Sequence, residues 1–336
     1  MSTDSISLSS QTVNREILIK MIERGDYLVI AGDEDVLKDL PAGNWVGGTI
    51  PYFMTTEGGK VDRDILYVTT ISGFKNNLPR LTLYDTNTIN RIAKEAPEHG
   101  FTLLILPALT DVHMAYAQGA PNFERMFFTP IMGWISGVHL DDLASRSPKV
   151  AMGTGGGALS SDHAAAIHVP LPEHQQANIN IINLFTQGNG PTIRFPQDGF
   201  EASTCTIDGT EANLANFIKE NNIDTKMPLV ADYSGISVNV SIQEVQEGNV
   251  KLYAPVFADL EYRFASPVVD YVSEFETAMR ATGKSEVAYC CNCILNYLYS
   301  ELEGKKTGNL TGPMTFGEVA YQLVNQTLVY LSIDEI

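Results

Sequence analysis

Three cysteines crowd into four positions, Cys290-Cys291-Asn292-Cys293, and Cys205 is the only other thiol. Structural zinc takes four tetrahedral ligands, usually from C-x2-C pairs, and this spacing does not supply them. A catalytic thiol needs a paired base, and none stands close in sequence. Small buried thiols that pack one element against another fit the cluster best. The run 288–302 reads as a helix, which would place Cys290 and Cys293 on one face and Cys291 with Ile294, Leu295 and Leu298 on the buried one. The histidines offer a second chemistry. His163, His168 and His174 are spaced H-x4-H-x5-H, which matches no zinc pattern, and Pro170 splits them. An axial ligand to haem iron from His163 or His168 is the open alternative. Gly153-Thr-Gly-Gly-Gly-Ala158 fits G-x-G-x-x-[GA] after a predicted strand. A dinucleotide fingerprint also needs a helix opening at once and an acid about 20 residues on. Glu173 has the spacing, but Pro170 and Pro172 interrupt the segment. No P-loop, G-x-S-x-G, H-E-x-x-H, EF-hand or kinase signature is present. These residues do not declare a reaction.

The chain around them has 336 residues, 40 acidic against 22 basic, for a formal charge of −18. Nucleic-acid binders replace phosphate counterions with basic patches, and the longest basic run here is Lys305-Lys306. A nucleic-acid role and an anionic-membrane role are therefore excluded as expectations. The Ser/Thr-rich start lacks the pattern of a signal peptide, and apolar runs such as Thr102–Leu109 fall short of a membrane span. The clustered cysteines are no disulfide framework, which points to a reducing cytoplasm.

The elements follow from periodicity and punctuation. Residues 1–14 read as a flexible tail. Helices are expected at 16–24, 34–40, 87–96, 210–221 (with Thr210 as N-cap), 268–282 and 288–302. Strands are expected at 27–31, 44–54 with a break at Gly47-Gly48, 64–72, 102–106, 149–152, 179–185, 202–207 and 327–333. A hairpin is expected over 236–257. Phe127–Gly137 loosely echoes the first Gly-Gly strand. Gln187-Gly-Asn-Gly-Pro191 is the best linker. The expected fold is α/β in the broad, mixed α+β sense: two related halves, 15–187 and 192–336, with mixed β-sheets flanked by helices.

The order of features in the second half resembles the FIST C-terminal domain. Ile207-Asp-Gly-Thr-Glu-Ala-Asn-Leu-Ala-Asn-Phe looks like its D-G-x-x-A turn and helix. Met227-Pro-Leu-Val, the 236–257 hairpin and the cysteine-containing helix follow. Gly312-Pro-Met-Thr-Phe-Gly-Glu-Val-Ala matches G-x-x-x-x-G-E-[IV]-A, and Asn325-Gln-Thr-Leu-Val-Tyr-Leu-Ser-Ile matches the closing strand. Trp45-Val-Gly-Gly-Thr and Pro130-Ile-Met-Gly-Trp-Ile-Ser-Gly are similar to the FIST N-terminal domain. Two features depart from the pattern: Leu295 stands where the family often has Arg, and Ala258-Asp-Leu-Glu replaces its usual E-G. The resemblance implies a stand-alone cytoplasmic sensor for a small molecule, amino acids among the proposals, acting on a separate partner such as a kinase or cyclase. Haem-based nitric-oxide sensing and an enzyme using Cys293 or Glu318 are its alternatives. The ligand-binding residues it suggests are Gly47, Gly48, Thr49, Cys293, Thr315, Gly317 and Glu318. Backbone N–H groups at the glycines can approach a ligand, and the carboxylate can hold an ammonium or hydroxyl, with Thr315 assisting. Gly317 and Glu318 serving only to shape a turn is the other reading.

Overall fold

Strand pairing sets the architecture: the fold is mixed α+β, with 42% strand against 18% helix. The computed structural model describes residues 5–233, 236–281 and 286–336. Among the described residues no helix is long and apolar enough to cross a membrane.

Three sheets share the outer parts of the chain. The first has the order Ser7–Asn14, Ile65–Ser72, Tyr27–Gly32, Trp45–Thr49, Val150–Met152. The stretch expected to be a tail is thus an antiparallel strand from Ser7, paired along its length with Ile65–Ser72; residues 1–4 lie outside the described ones. Asn14 then caps the helix Arg15–Glu23, its side chain accepting from Ile17 N–H at 2.9 Å. Leu18, Met21 and Ile22 form the buried face of that helix. The second sheet runs Gln322–Val324, Glu318–Ala320, Ile131–Ser136, Gly100–Pro107, Ala164–Pro170, Arg80–Tyr84. All eight residues of Gly100–Pro107 are buried, as a strand covered on both faces requires. The third runs Gln175–Ile182, Leu328–Glu335, Val287–Cys293, Gly312–Thr315, Tyr52–Thr55, Gly58–Val61.

Strands from both expected halves pair within these sheets. Gly312 opposes Met54, Glu318 opposes Trp134, and Gln175–Ile182 lies along Leu328–Glu335. The linker 187–191 is tied down as well, with Gly188 N–H on Phe264 O at 2.9 Å. What stands apart is the stretch 193–264, which alone supplies the two remaining sheets.

Two expected helices begin as strands. Thr210–Asn213 pairs with Thr204–Ile207, and the helix starts only at Leu214, capped by Asn213 rather than Thr210. The reason is the two-residue turn Asp208-Gly209, with φ of 47° and 81°, which suits a tight hairpin. Likewise Val287–Cys293 is a strand between Leu328–Glu335 and Gly312–Thr315, and only Ile294–Tyr299 is helical. The cysteines therefore alternate across a sheet, Cys291 and Cys293 to one side and Cys290 to the other. The expected hairpin is Ile242–Val245 with Val250–Val256, whereas Ile236–Val240 turns back on Leu229–Tyr233. Of the helix 268–282, Tyr271–Ala281 is observed, and Thr282 lies outside the described residues.

Among the described residues three strand pairs are parallel, each joined through a helix: Tyr27–Gly32 with Trp45–Thr49, Gly100–Pro107 with Ile131–Ser136, and Val287–Cys293 with Gly312–Thr315. The sequence echo between the Gly47-Gly48 and Gly133 segments has a structural counterpart, since both are the second strand of such a unit.

Candidate functional site

The carboxyl ends of parallel strands are where open sheets leave a crevice for ligands. Two of the three units end at one place. Pro107 and Ser136 are in register at the end of one pair, and Cys293 and Thr315 at the end of the other. The residues that follow these four ends wall a pocket of about 70 Å³. Ala108 and Leu109 follow Pro107; Leu140 and Leu143 lie on the segment after Ser136. Ile294, Leu295 and Leu298 project from the helix after Cys293, and Phe316 follows Thr315. Gln243 and Tyr253 reach in from the Ile242–Val256 hairpin.

The mouth is apolar. Leu109, Leu143 and Leu298 are 51%, 54% and 38% exposed, an unusual grouping of large apolar side chains in contact with water. Leu109 sits at φ 60°, a left-handed conformation that costs a residue with a Cβ about 1–2 kcal/mol. Its N–H donates to His113 Nδ1 at 3.2 Å. That bond puts the proton of the neutral ring on Nε2, which has no partner among the described residues. Burial pulls His113 down to about 4, so the ring is uncharged at neutral pH. It borders the pocket with Phe200 against it, ring centroids 5.7 Å apart. Burial likewise pushes the Tyr253 phenol up to about 12. Among the described residues no Lys, Arg, Asp or Glu lines the pocket.

Behind Phe316 lies a closed polar core that gathers four of the expected residues. Glu318 Oε2 accepts from Thr327 N–H at 3.3 Å and from its hydroxyl at 2.8 Å; the Thr315 hydroxyl is 3.2 Å from Oε1. Burial pushes Glu318 up to about 8 in spite of these bonds, so it is mostly protonated at neutral pH. Burial, and then Glu318 itself, holds the Cys293 thiol well above its ordinary range; Asn325 Nδ2 lies 3.9 Å from that sulfur. Cys291 donates to Gly133 O at 3.2 Å. Asn292 Nδ2, Asn296 Oδ1 and Asn325 Oδ1 lack partners among the described residues. Gly317, at φ 147°, makes the kink: Phe316 N–H donates to Ile135 O at 3.0 Å, and Ile135 N–H to Gly317 O at 2.8 Å. The kink sets Phe316 on the pocket and Glu318 in the core. Glu318, Cys293 and Thr315 are therefore one shell behind the pocket rather than on its wall.

The other expected residues lie elsewhere. A Cβ on Gly48 would come within 2.6 Å of Ile105 Cγ2 and 2.8 Å of Trp134 Cη2, so this glycine serves close packing of two sheets. A Cβ on Gly47 would meet Ile30 O of the paired strand at 3.1 Å, a tight contact within one sheet. The Thr49 hydroxyl accepts from Lys149 N–H at 2.9 Å, and its carbonyl accepts from Gly137 N–H at 2.7 Å. His168 has hydroxyls on both nitrogens, Thr102 at 2.8 Å from Nδ1 and Tyr84 at 2.9 Å from Nε2, which leaves no nitrogen for iron. His163 pairs with Ser160 at 2.9 Å. Gly153–Gly155 is a short 3-10 turn closed by Gly156 at φ 87°, with no helix opening for a dinucleotide.

The segment 137–146 connects the pocket to the third parallel unit. Leu140 and Leu143 face the pocket, while Asp142 and Arg146 join an ion cluster at the carboxyl end of Tyr27–Gly32. Arg146 lies 3.2 Å from the buried Asp33 and 2.9 Å from Asp35, and Arg63 lies 2.8 Å from Asp142.

Compared with known proteins, residues 13–334 match the model of a family described as "Family of unknown function (DUF6976)". No curated protein matches the chain.

Proposed function

We propose that this chain, which belongs to the DUF6976 family, is a small-molecule sensor whose ligand enters the pocket between Leu109, Leu298 and Phe316. The observation that carries the reading is that pocket itself, open at the carboxyl ends of two parallel units and rimmed by exposed leucines. The strained Leu109 adds to it, because backbone strain persists where function needs a fixed geometry. Two routes can carry occupancy outward. Leu140 and Leu143 ride on the ion-tethered segment 137–146, and Phe316 is continuous with the Glu318 core. The sequence resemblance to FIST sensory domains supports sensing over catalysis, and so does the enclosure of Cys293 and Glu318. The four cysteines are free and buried, which supports a reducing cytoplasm as its place of action. The signal then passes to a separate protein, a kinase or cyclase in the FIST precedent.

A ligand that binds only the native state must raise the melting temperature. A metabolite screen by thermal shift, run on the wild type and on Leu298→Trp, tests the reading. Compounds that stabilise the wild type and not the pocket-filling variant support it. Compounds that stabilise both equally place the ligand elsewhere, and a screen without any hit counts against a sensor.

A further inference from the structure

The chemistry of the pocket narrows what it can hold. Its mouth is three leucines and its inner wall is Ile294, Leu295 and Phe316. Among the described residues the polar side chains that line it are Gln243, Tyr253 and His113, all uncharged at neutral pH. A ligand carboxylate or ammonium would leave water without an opposite charge to meet it, and such a transfer is strongly unfavourable. The volume is about 70 Å³, and one water needs about 10–15 Å³ on this measure, so the space suits about five waters or one small ring.

We infer that the ligand is a small, uncharged, single-ring or short branched molecule with one or two hydrogen-bonding atoms, such as a cyclic ketone, alcohol or lactone. This rests on the pocket being the sensor site. Its apolar body meets the leucines and Phe316, and its oxygen meets the tyrosine hydroxyl or the Gln243 amide. Free amino acids, which carry both charges, and haem, with its size and two propionates, do not fit this wall.

A matched series isolates the claim: cyclohexanone, cyclohexanecarboxylate and cyclohexylammonium share one ring and differ in charge. Each is titrated into the intact protein while the leucine methyl resonances of Leu109, Leu143 and Leu298 are followed by NMR. Saturable shifts are expected with cyclohexanone, with the two ions at least tenfold weaker at the same methyls. Leu298→Trp, at a partly exposed position that tolerates bulk, should abolish the cyclohexanone shifts. If either ion binds these methyls as tightly as the ketone, the uncharged class is wrong while the pocket stands as a ligand site. If none of the three moves the methyls, the pocket reading falls and this inference falls with it.

Discussion

Replacing Glu318 by Gln tests whether the core behind the pocket is as dry as its geometry implies. The carboxyl rises from 4.5 to about 8 because burial disfavours the ionised form. Between those two values the folded chain holds a proton that the unfolded chain has released. Stability from this group is therefore greatest below 4.5, declines as pH rises, and levels off above 8. His113 and His168 act in the opposite sense. Burial lowers them from 6.5 to about 4 and about 3, so their contribution grows as pH rises towards 6.5. Both histidines are shared by wild type and variant, so subtracting the two unfolding free energies leaves Glu318 alone. From about pH 6 to about pH 8 the wild type should lose roughly 2 kcal/mol relative to Glu318→Gln, at about 1.4 kcal/mol per pH unit tapering near the folded value. Urea unfolding followed by the fluorescence of the buried Trp45 and Trp134 measures it directly. A free-energy difference that stays flat over that range would refute the dry-core argument, because it would mean the carboxyl titrates as it does in water.

Further outcomes follow from single contacts. Gly48→Ala should cost about 1–3 kcal/mol in chemical denaturation, since its methyl would have to displace Ile105 and Trp134 and would press on Ser136 Cβ at 3.1 Å. Leu109→Asn keeps a residue tolerant of the left-handed region and removes the apolar rim; stability should change by less than about 1 kcal/mol while cyclohexanone affinity falls several-fold by methyl NMR. Asp33→Asn should loosen segment 137–146, seen as faster amide exchange over those residues and as a melting temperature less sensitive to salt than the wild type's. None of the four buried cysteines should react with a thiol reagent on the timescale of mixing, and all should react after unfolding.

Strands built from uninterrupted apolar runs were readable in the sequence: 100–107, 65–72 and 328–335 fall close to where composition and alternation put them. The two strands hidden in expected helices were not, for different reasons. In 287–299 a buried strand leads straight into a buried helix, and an apolar run does not tell one from the other. In 204–213 the Asp208-Gly209 hairpin signal was present, but Glu211-Ala-Asn-Leu214 carries a helical pattern that belongs only to the turns after Asn213. Thr315, Gly317 and Glu318 stand out in the sequence as ligand contacts through the FIST resemblance, whereas the polar core that joins Thr315 and Glu318 to Thr327 is set by tertiary contacts. The pocket was not legible, because its walls follow four strand ends far apart in sequence, a convergence that no local spacing encodes. A local sign of its edge did exist: the buried strand ending at Pro107 runs into Thr110, whose hydroxyl caps the helix that bears His113.

The strand Leu328–Glu335 lies between Gln175–Ile182 and Val287–Cys293, and Thr327 just before it supplies two of the bonds to Glu318. On the ribosome this strand emerges after all its neighbours. Until it does, two long strands present open edges and the Glu318 carboxyl has no amide to meet it. The nascent chain must therefore be kept from pairing with other chains through most of its synthesis. A chain stalled before residue 327 would leave those strand edges open to proteases and chaperones.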